Sequence, residues 1–369
     1  MSQPRLRVGV VGANGHPERW GARVHAPVFK ALPETELKAV CTAHEETARA
    51  AARHFGVERW YSDYRRLAAD PDIDLVSIAV RVPDHYPICM AALEAGKHVL
   101  CEWPLALDAT QAAALDKAGA SSRRYCCVDL QSRYSPGILL LRDLLAQGYV
   151  GNIVTFNMVH FVSNYIRPVA PHRSWIASAD SGGGALSIQA GHATDVLEWC
   201  LGDAVSDVLG NVTTALPEWT LAGSGERLPV TSPDNVGFLA RLHGGAVGCV
   251  QVSVTAWHGS GWRLEVYGTK GKLTGSCPGM LMWTPVRVRG ATKEDAEEVD
   301  IRPADSHVMV REFQETDVPF NVAQLTRTLA RSIGAGRPFS PAFAEAVHLH
   351  RVLEAVRRSS ATGGWTPTD

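Results

Sequence analysis

The sequence predicts an α/β protein in which a doubly wound parallel sheet is followed by an α+β domain with a large open, mainly antiparallel sheet. Over residues 6–128, short apolar runs alternate with amphipathic stretches, which is the rhythm of β-α-β units. Strand-like segments broken by glycines then continue to Gly271. Because 369 residues exceed the usual size of a single core, we expect two domains, residues 1–124 and residues 125–369.

The elements follow in chain order from apolar period and turn residues. Predicted strands of the first domain cover residues 6–12, 36–41, 74–80, 98–101 and 125–128. Predicted helices cover residues 87–95, 109–118, 136–147, 320–333 and 343–358. The last two flank a Gly- and Pro-containing break at 334–338, and we expect them to return toward the first domain.

Composition excludes several function classes. With 36 basic and 38 acidic residues, the net charge of -2 gives no footprint for nucleic acid or an anionic membrane. The eight cysteines are scattered without a Cys-x-x-Cys pair, which argues against a zinc site or a disulfide framework. No uncharged apolar run reaches about 18 residues, and residues 1–7 lack the apolar core of a signal peptide. We therefore expect a cytoplasmic protein with no metal and no nucleic-acid or membrane partner.

The first predicted strand runs into a glycine-containing turn, Gly12-Ala13-Asn14-Gly15. Such a turn, followed by a helix, places backbone N–H groups and a helix N-terminus against a pyrophosphate. Asn14 stands where the usual fingerprint has its second glycine, and the insertion 16–20, which ends in Trp20, delays the third glycine to Gly21. On this segment alone, a simple strand-to-helix turn explains the pattern equally well.

The flanking motifs make the signal specific. Residues 92–100 (Ala-Leu-Glu-Ala-Gly-Lys-His-Val-Leu) lead into Cys101-Glu102-Trp103-Pro104, and they follow His25-Ala26-Pro27, the strand 78–80 and His85. In order and spacing these pieces resemble the Gfo/Idh/MocA family of glucose-fructose oxidoreductase and inositol dehydrogenase. The resemblance implies a Rossmann domain that binds NAD(P).

The resemblance implies a set of cofactor-binding residues at the ends of the first-domain strands. They are Gly12, Asn14, Gly15, Trp20, Gly21, Thr42, His44, Val80, Arg81, His85, Glu102 and Gln131. The second strand ends at Cys41-Thr42, without the acidic residue that binds an adenosine ribose diol, so the choice between NAD and NADP stays open.

The family's proton relay is largely replaced. In the family the strand ends in Glu-Lys-Pro and the lysine works beside the nicotinamide, together with an aspartate and a histidine. Trp103 takes the lysine's place, and an indole N–H donates a hydrogen bond but cannot accept a proton. Ile188 takes the aspartate's place, whereas His192 keeps the histidine. We expect His192, Trp103 and Glu102 to be the catalytic residues, with His192 as the acid–base residue and Trp103 shaping the nicotinamide pocket. A buried structural histidine is the alternative interpretation of His192.

The segment 165–175 is basic and aromatic, and in the family this loop edges the substrate pocket. Arginine forks bind carboxylate, sulfonate or phosphate, and tryptophan stacks on sugar rings, so we expect an anionic or glycosidic sugar. A loop with solvated arginines is the alternative. Arg133 could reach the cleft or equally anchor a structural carboxylate, and Asp195 is expected to be a structural partner. The substrate residues that we expect are Arg133, Tyr134, Tyr165, His172, Arg173, Trp175, Gln189 and His192.

The departures from the family pattern are shared with a divergent subgroup. Gly12-x-Asn14, Trp20, Glu102-Trp103, Leu130-Gln131-x-Arg133 and Gln147-Gly148-Tyr149 resemble the fungal repressor of the galactose regulon. The leading hypothesis is an NAD(P)-dependent oxidoreductase acting on a secondary hydroxyl or keto carbon of a sugar, sugar acid or polyol derivative. One alternative is an NAD-dependent glycoside hydrolase that uses transient ring oxidation, elimination, hydration and re-reduction. The other is a non-catalytic dinucleotide sensor. A homo-oligomer is expected by analogy with the family.

Overall fold

A computed structural model describes residues 4–369. The chain divides into two compact units: the residues up to Gln131 together with Met309–Val347, and Ser132–Val308 together with His348–Asp369. The first unit therefore extends past residue 124 and includes 309–347. The predicted domain division at 124/125 stays a prediction. No helix within residues 4–369 combines the length and apolar character needed to cross a membrane.

The first unit is built on a six-stranded parallel sheet with the order β3-β2-β1-β4-β5-β6. This is the doubly wound dinucleotide-binding order, so the predicted Rossmann sheet is confirmed. All four residues of β4 are buried, as expected of a strand covered on both faces. The strands are β1 (Leu6–Val11), β2 (Thr35–Cys41), β3 (Arg59–Tyr61), β4 (Leu75–Ile78), β5 (His98–Glu102) and β6 (Cys126–Asp129).

The nine α-helices in residues 4–369 are α1 (Ala26–Ala31), α2 (Glu45–Phe55), α3 (Tyr64–Ala68), α4 (His85–Glu94), α5 (Ala109–Ser122), α6 (Pro136–Ala146), α7 (Gly191–Leu201), α8 (Phe320–Ala335) and α9 (Phe343–Thr362). Five of them, α4, α5, α6, α8 and α9, match the helices predicted with bounds, within four residues at each end. A π-helical turn, Gly21–His25, precedes α1, and a second one, Ala185–Ala190, precedes α7.

The second unit is built on a nine-stranded mixed sheet with the order β16-β15-β14-β13-β7-β12-β11-β8-β17. Neighbouring strands are antiparallel except for β7 and β12, so the predicted large, mainly antiparallel sheet is confirmed. Its strands are β7 (Ile153–Phe161), β8 (Val205–Thr213), β11 (Asn235–Leu242), β12 (Val247–Ser253), β13 (Gly261–Gly268), β14 (Gly271–Cys277), β15 (Arg287–Thr292), β16 (Val299–Ile301) and β17 (Thr366–Pro367). A separate hairpin pairs β9 (Glu218–Thr220) with β10 (Arg227–Pro229).

Candidate active site

The turn after β1 has the backbone geometry of a dinucleotide-binding loop. Gly12 has φ +106°, and a Cβ there would lie 2.2 Å from the carbonyl oxygen of Ala79. A Cβ on Gly21 would lie 2.8 Å from the carbonyl oxygen of Gly12, so the helical segment that starts at Gly21 packs directly on the turn. These are the close approaches for which the fingerprint glycines are needed, and the turn therefore fits a pyrophosphate.

Asn14 and the insertion give this turn its own internal contacts. The Asn14 side-chain oxygen accepts a hydrogen bond from the backbone N–H of His16 at 3.1 Å, and Gly15 has φ +77°. Trp20, at the end of the insertion, donates its indole N–H to Glu102 Oε1 at 2.6 Å. The insertion thus ties the cofactor turn to the end of β5.

The position after β2 carries a neutral group. The Thr42 hydroxyl donates to the carbonyl of His44 at 3.0 Å and lies 2.6 Å from the Thr47 hydroxyl, just before α2 begins. Because no carboxylate stands at this position, the geometry does not separate a ribose diol from a ribose phosphate.

His85 bridges the ends of β4 and β5. Its Nδ1 lies 2.8 Å from the carbonyl oxygen of Pro104, and its Nε2 lies 3.2 Å from that of Val80. Burial lowers its pKa, against the pull of the two carbonyls. His85 therefore fixes the backbone around Val80 and the exposed Arg81, and a direct role toward the cofactor stays a prediction.

A buried cluster of titratable groups lies at the carboxyl ends of β5 and β6. His25 Nε2 lies 2.6 Å from Glu102 Oε1 and 3.4 Å from Asp129 Oδ2, and His25 Nδ1 lies 2.7 Å from the Ser77 hydroxyl. One polar atom from each of His25, Glu102 and Asp129 falls within 4.8 Å of the other two. Since His25 and Glu102 hydrogen-bond to each other, the arrangement is suited to sharing protons rather than to holding a metal ion between the groups.

Burial governs the ionisation of this cluster. It raises the pKa of Glu102 to about 7, although the Trp20 indole favours the carboxylate form. Burial, with the neighbouring Glu102 charge, raises the pKa of Asp129 well above its usual range. The pKa of His25 is lowered by burial and raised in part by Asp129. Burial therefore favours the neutral form of all three groups, and Glu102, with a pKa of about 7, titrates in the neutral range.

Trp103 follows Glu102 directly and is 5% exposed. Its peptide bond to Pro104 is cis. The large indole fills the position at which the family carries a lysine, and it supplies no proton acceptor. In the first unit, the ionisable group next to this position is therefore Glu102.

His192 lies in the first turn of α7, after a glycine-rich entry. A Cβ on Gly183 would lie 2.4 Å from the carbonyl oxygen of Ile176, and Gly184 has φ +105°, so the chain needs both glycines to enter the π-helical turn. His192 is 4% exposed, and its Nδ1 has no hydrogen-bond partner among residues 4–369. Burial, together with the nearby His160, lowers its pKa to about 3, so the imidazole is neutral at physiological pH.

His160 is a second buried histidine, on β7. It is 0% exposed, and neither of its ring nitrogens has a hydrogen-bond partner of ordinary geometry in the described chain. Burial lowers its pKa to about 4. Two adjacent imidazoles are thus held neutral in the second unit.

An aromatic and amide group accompanies His192. Tyr165 is 2% exposed and stacks on Trp219, with ring centroids 4.5 Å apart. The Arg173 guanidinium lies 6.0 Å from the centre of the Tyr165 ring. Burial raises the Tyr165 pKa, and Arg173 and the Gln189 side chain both favour its ionised form. The Gln189 side-chain oxygen is buried and has no partner within residues 4–369.

Arg133 pairs with Asp195. Its Nε lies 3.0 and 2.9 Å from the two carboxylate oxygens, and both residues are buried. The geometry thus supports the alternative in which Arg133 anchors a structural carboxylate and Asp195 is a structural partner. Tyr134 is 9% exposed, and the expected substrate residues His172 and Trp175 are half-buried beside Arg173 in the 3₁₀ segment Pro171–Ala177.

Sequence reasoning missed four residues of these groups: His25, Asp129, His160 and Trp219. Asp129 had a usable signal, since it ends β6 as Glu102 ends β5, and the carboxyl ends of adjacent parallel strands meet at one edge. The distant His160 and Trp219 carry no such signal, because their neighbours come from separate parts of the sheet and its hairpin.

Comparisons with known proteins agree with this geometry. Residues 6–130 match the oxidoreductase family with an NAD-binding Rossmann fold, and residues 138–274 match the GFO/IDH/MocA C-terminal domain. Levoglucosan dehydrogenase of Pseudarthrobacter phenanthrenivorans is 30% identical over 292 residues, which cover 73% of each chain. The galactose/lactose metabolism regulatory protein GAL80 of Saccharomyces cerevisiae is 26% identical over 413 residues, covering 97% of this chain and 93% of its own.

A solved levoglucosan dehydrogenase in complex with NADH and levoglucosan has a TM-score of 0.86 and 25% identity, covering 99% of this chain and 100% of its own. The similarity to GAL80 confirms the resemblance to the galactose-regulon repressor subgroup. The chain belongs to the Gfo/Idh/MocA family of NAD-binding oxidoreductases.

Proposed function

We propose that the protein is an NAD(P)-dependent oxidoreductase that acts on a secondary hydroxyl or keto carbon of a sugar, sugar acid or polyol derivative, with His192 as the acid–base residue. The observation that carries the proposal is a pair of buried polar atoms that have no hydrogen-bond partner in the described chain. His192 Nδ1 and the Gln189 side-chain oxygen have no partner in the described chain, and the two residues are three apart along a continuous helical segment. Buried polar atoms without partners are costly, and a ligand hydroxyl, which both donates and accepts a hydrogen bond, is a natural group to satisfy them.

His192 suits the role of proton acceptor. When bound, the nicotinamide accepts the hydride from the substrate carbon. The hydroxyl proton then needs a base, and a neutral imidazole provides one. Because burial lowers the pKa of His192 to about 3, the imidazole is deprotonated throughout the neutral range, but it is a weaker base than an ordinary histidine.

The cofactor would be held by the turn at Gly12 and Gly21 and by the strand ends that carry Thr42, Val80 and Glu102. The close approaches at the two glycines support this assignment. The neutral Thr42 is compatible with either cofactor, so parallel titration of NAD and NADP is the direct test of preference. A tenfold or larger difference in Kd, about 1.4 kcal/mol, would assign the natural cofactor.

The substrate is proposed to be a carbohydrate, with anionic members favoured. Levoglucosan dehydrogenase, a 30% identical relative, is named for an anhydrosugar. In this chain Arg173 lies beside the stacked pair Tyr165–Trp219, which combines an apolar ring face with a cation. Calorimetry with matched sugar acids and neutral polyols tests the anionic preference; equal or tighter binding of the polyols would refute it.

His192→Ala is the test of the catalytic assignment. Removing a general base typically costs 10²-fold or more in turnover, so we expect a loss of about that size with cofactor affinity unchanged. His243→Ala is the matched control, because His243 is exposed on the same unit and should leave turnover unchanged. Equal activity of His192→Ala and the wild type would remove His192 from the mechanism.

A non-catalytic dinucleotide sensor is the second candidate, and a specific observation favours it. Trp103 is buried at the lysine position, and Ile188 stands at the aspartate position. GAL80, a regulatory protein, matches 97% of the chain. Cofactor binding without turnover across a broad sugar panel would support the sensor, whereas glycoside cleavage without net cofactor reduction would support an NAD-dependent hydrolase. Gain of ordinary dehydrogenase activity in Trp103→Lys would show that the rest of the pocket suits simple oxidation.

A further inference from the structure

We propose that Glu102 and Asp129 hold one proton between them, with His25 as a hydrogen-bonding partner, and that this cluster takes up or releases a second proton according to the redox state of the bound nicotinamide. The inference deepens the proposed function, since it concerns the cofactor pocket. The cluster consists of His25, Glu102 and Asp129. The proposed mechanism uses neither His25 nor Asp129.

The first step of the argument is the burial of Asp129. It is 0% exposed, and neither carboxyl oxygen receives a hydrogen bond of ordinary geometry from an N–H or hydroxyl donor among residues 4–369; His25 Nε2 lies 3.4 Å from Oδ2, and the Glu102 carboxyl group is its hydrogen-bonding neighbour. An ionised carboxylate in that position would be desolvated without a donor, which is strongly unfavourable. Asp129 therefore carries a proton, and Glu102 is the neighbouring carboxyl group that can accept it.

The second step is the set of donors on Glu102. Trp20 donates its indole N–H to Glu102 Oε1, and His25 Nε2 lies at the same oxygen, both at 2.6 Å. With Nε2–H toward Glu102, His25 Nδ1 accepts from the Ser77 hydroxyl, which is the arrangement of a neutral imidazole. Glu102 is thus built to be the negative member of the cluster.

The third step places this charge at the cofactor site. Glu102 and Asp129 end β5 and β6, at the carboxyl edge where doubly wound sheets bind dinucleotides. The strands β4, β5 and β6 form one half of the sheet. Thr42, at the position expected to lie near the adenosine ribose, follows β2 in the other half. The side chain of Glu102 is 12% exposed while those of His25 and Asp129 are 0% exposed, so Glu102 is the member that reaches the edge.

The remaining titratable neighbour does not compete for the proton. The Cys101 thiol precedes Glu102 on β5, and burial beside Cys89 raises its pKa, so it stays protonated. The titratable groups next to Glu102 thus include His25 from the end of the π-helical turn and Asp129 from β6, while Cys101 precedes it on β5.

The consequence follows from charge alone. An oxidised nicotinamide ring is positive and stabilises the Glu102 carboxylate, whereas a reduced ring is neutral and does not. Binding of the oxidised cofactor should release a proton to solvent, and reduction should allow Glu102 to regain one from solvent. No electron passes through the cluster. It is a proton-coupled site that biases the pocket toward the oxidised cofactor at high pH.

The test is cofactor binding by calorimetry, with each cofactor form titrated in two buffers of different ionisation enthalpy. For the wild type we expect proton release with the oxidised cofactor near neutral pH, and a preference for the oxidised over the reduced form that grows about tenfold between about pH 5.5 and 8.5. Glu102→Gln should lose both effects. Asp129→Asn should keep both effects, because a neutral amide replaces a carboxyl group that is already protonated.

The matched control is Glu94→Gln, which removes an exposed carboxylate at the end of α4 and should behave as the wild type. Cofactor binding with a pH-independent preference, or proton release that persists in Glu102→Gln, would overturn the inference while leaving the proposed function intact. Absence of binding by either cofactor form would overturn both. Tight binding of one Zn²⁺ per chain that both variants abolish would also overturn it, since metal ligands leave no proton to share.

Discussion

Asp195→Ala should be one of the most destabilising single substitutions in the second unit. Asp195 and its partner Arg133 are 1% and 5% exposed, and the carboxylate receives the arginine fork through Nε and Nη2. Truncation leaves a buried guanidinium without its counter-ion. Breaking a buried pair in this way costs about 3–5 kcal/mol, which is a large part of a typical free energy of unfolding.

An exposed ion pair in the same unit provides the control. Arg227 and Glu218 pair across the β9–β10 hairpin, with side chains 67% and 46% exposed. Glu218→Ala should cost less than about 1 kcal/mol, because solvent already screens the pair. The contrast between two Arg–carboxylate pairs isolates the effect of burial.

Urea unfolding followed by circular dichroism measures both variants, with midpoints and slopes compared to the wild type. A third variant distinguishes the loss of the ion pair from the cost of leaving one charge buried without its counter-ion. Replacing Arg133 with Met and Asp195 with Leu together removes both charges, so it should recover much of the stability lost in Asp195→Ala. An Asp195→Ala protein no less stable than Glu218→Ala would refute the argument that burial makes this pair critical.

Three further predictions concern the cofactor turn and the buried histidines. Gly12→Ala places a Cβ 2.2 Å from the carbonyl oxygen of Ala79, so it should weaken cofactor binding about tenfold or more, which is about 1.4 kcal/mol. Titration with the cofactor measures this loss, and Gly364→Ala, at a position with open space around it, should bind the cofactor as the wild type does. Burial lowers the pKa of His160 to about 4, so the free energy of unfolding should fall by up to about 3 kcal/mol as the pH drops from about 6.5 to 4, where the unfolded chain binds a proton at this residue and the folded chain does not. Denaturation curves recorded across this pH range should show a smaller decrease for His160→Phe than for the wild type. With the cofactor saturating, kcat/KM for the substrate should not fall near pH 6.5, where an ordinary histidine titrates, since the His192 pKa is lowered to about 3. A drop there that His192→Ala removes would contradict the lowered pKa.

The predictable part of the fold rested on repeated local patterns. The strands of the first unit and their parallel arrangement follow from apolar runs separated by helices. Gly12 and Gly21 could also be identified from their spacing, because the backbone approaches too closely at both positions to admit a Cβ atom. The three-residue β3 and the Ala-rich α2 were missed, because β3 is short and partly exposed and α2 buries mainly alanines.

The less predictable part of the site depends on distant pairs. Arg133 had two open roles in the sequence, and only the folded chain brings it to Asp195, 62 residues away. The His25–Glu102–Asp129 cluster likewise needs three strand and helix ends to meet. The local sequence pattern predicts which residues end a strand, but it does not predict which of their side chains come into contact in the folded chain.

The most direct test of the central claim is steady-state reduction of NAD or NADP by a panel of sugars, sugar acids and polyols, with the product identified by mass spectrometry. We expect one substrate class to reduce the cofactor and to yield a product lighter by two hydrogens, with turnover lost in His192→Ala. A protein that binds the cofactor but reduces it with no member of the panel, while showing no reverse reaction with the corresponding keto sugars, would contradict the proposed oxidoreductase function.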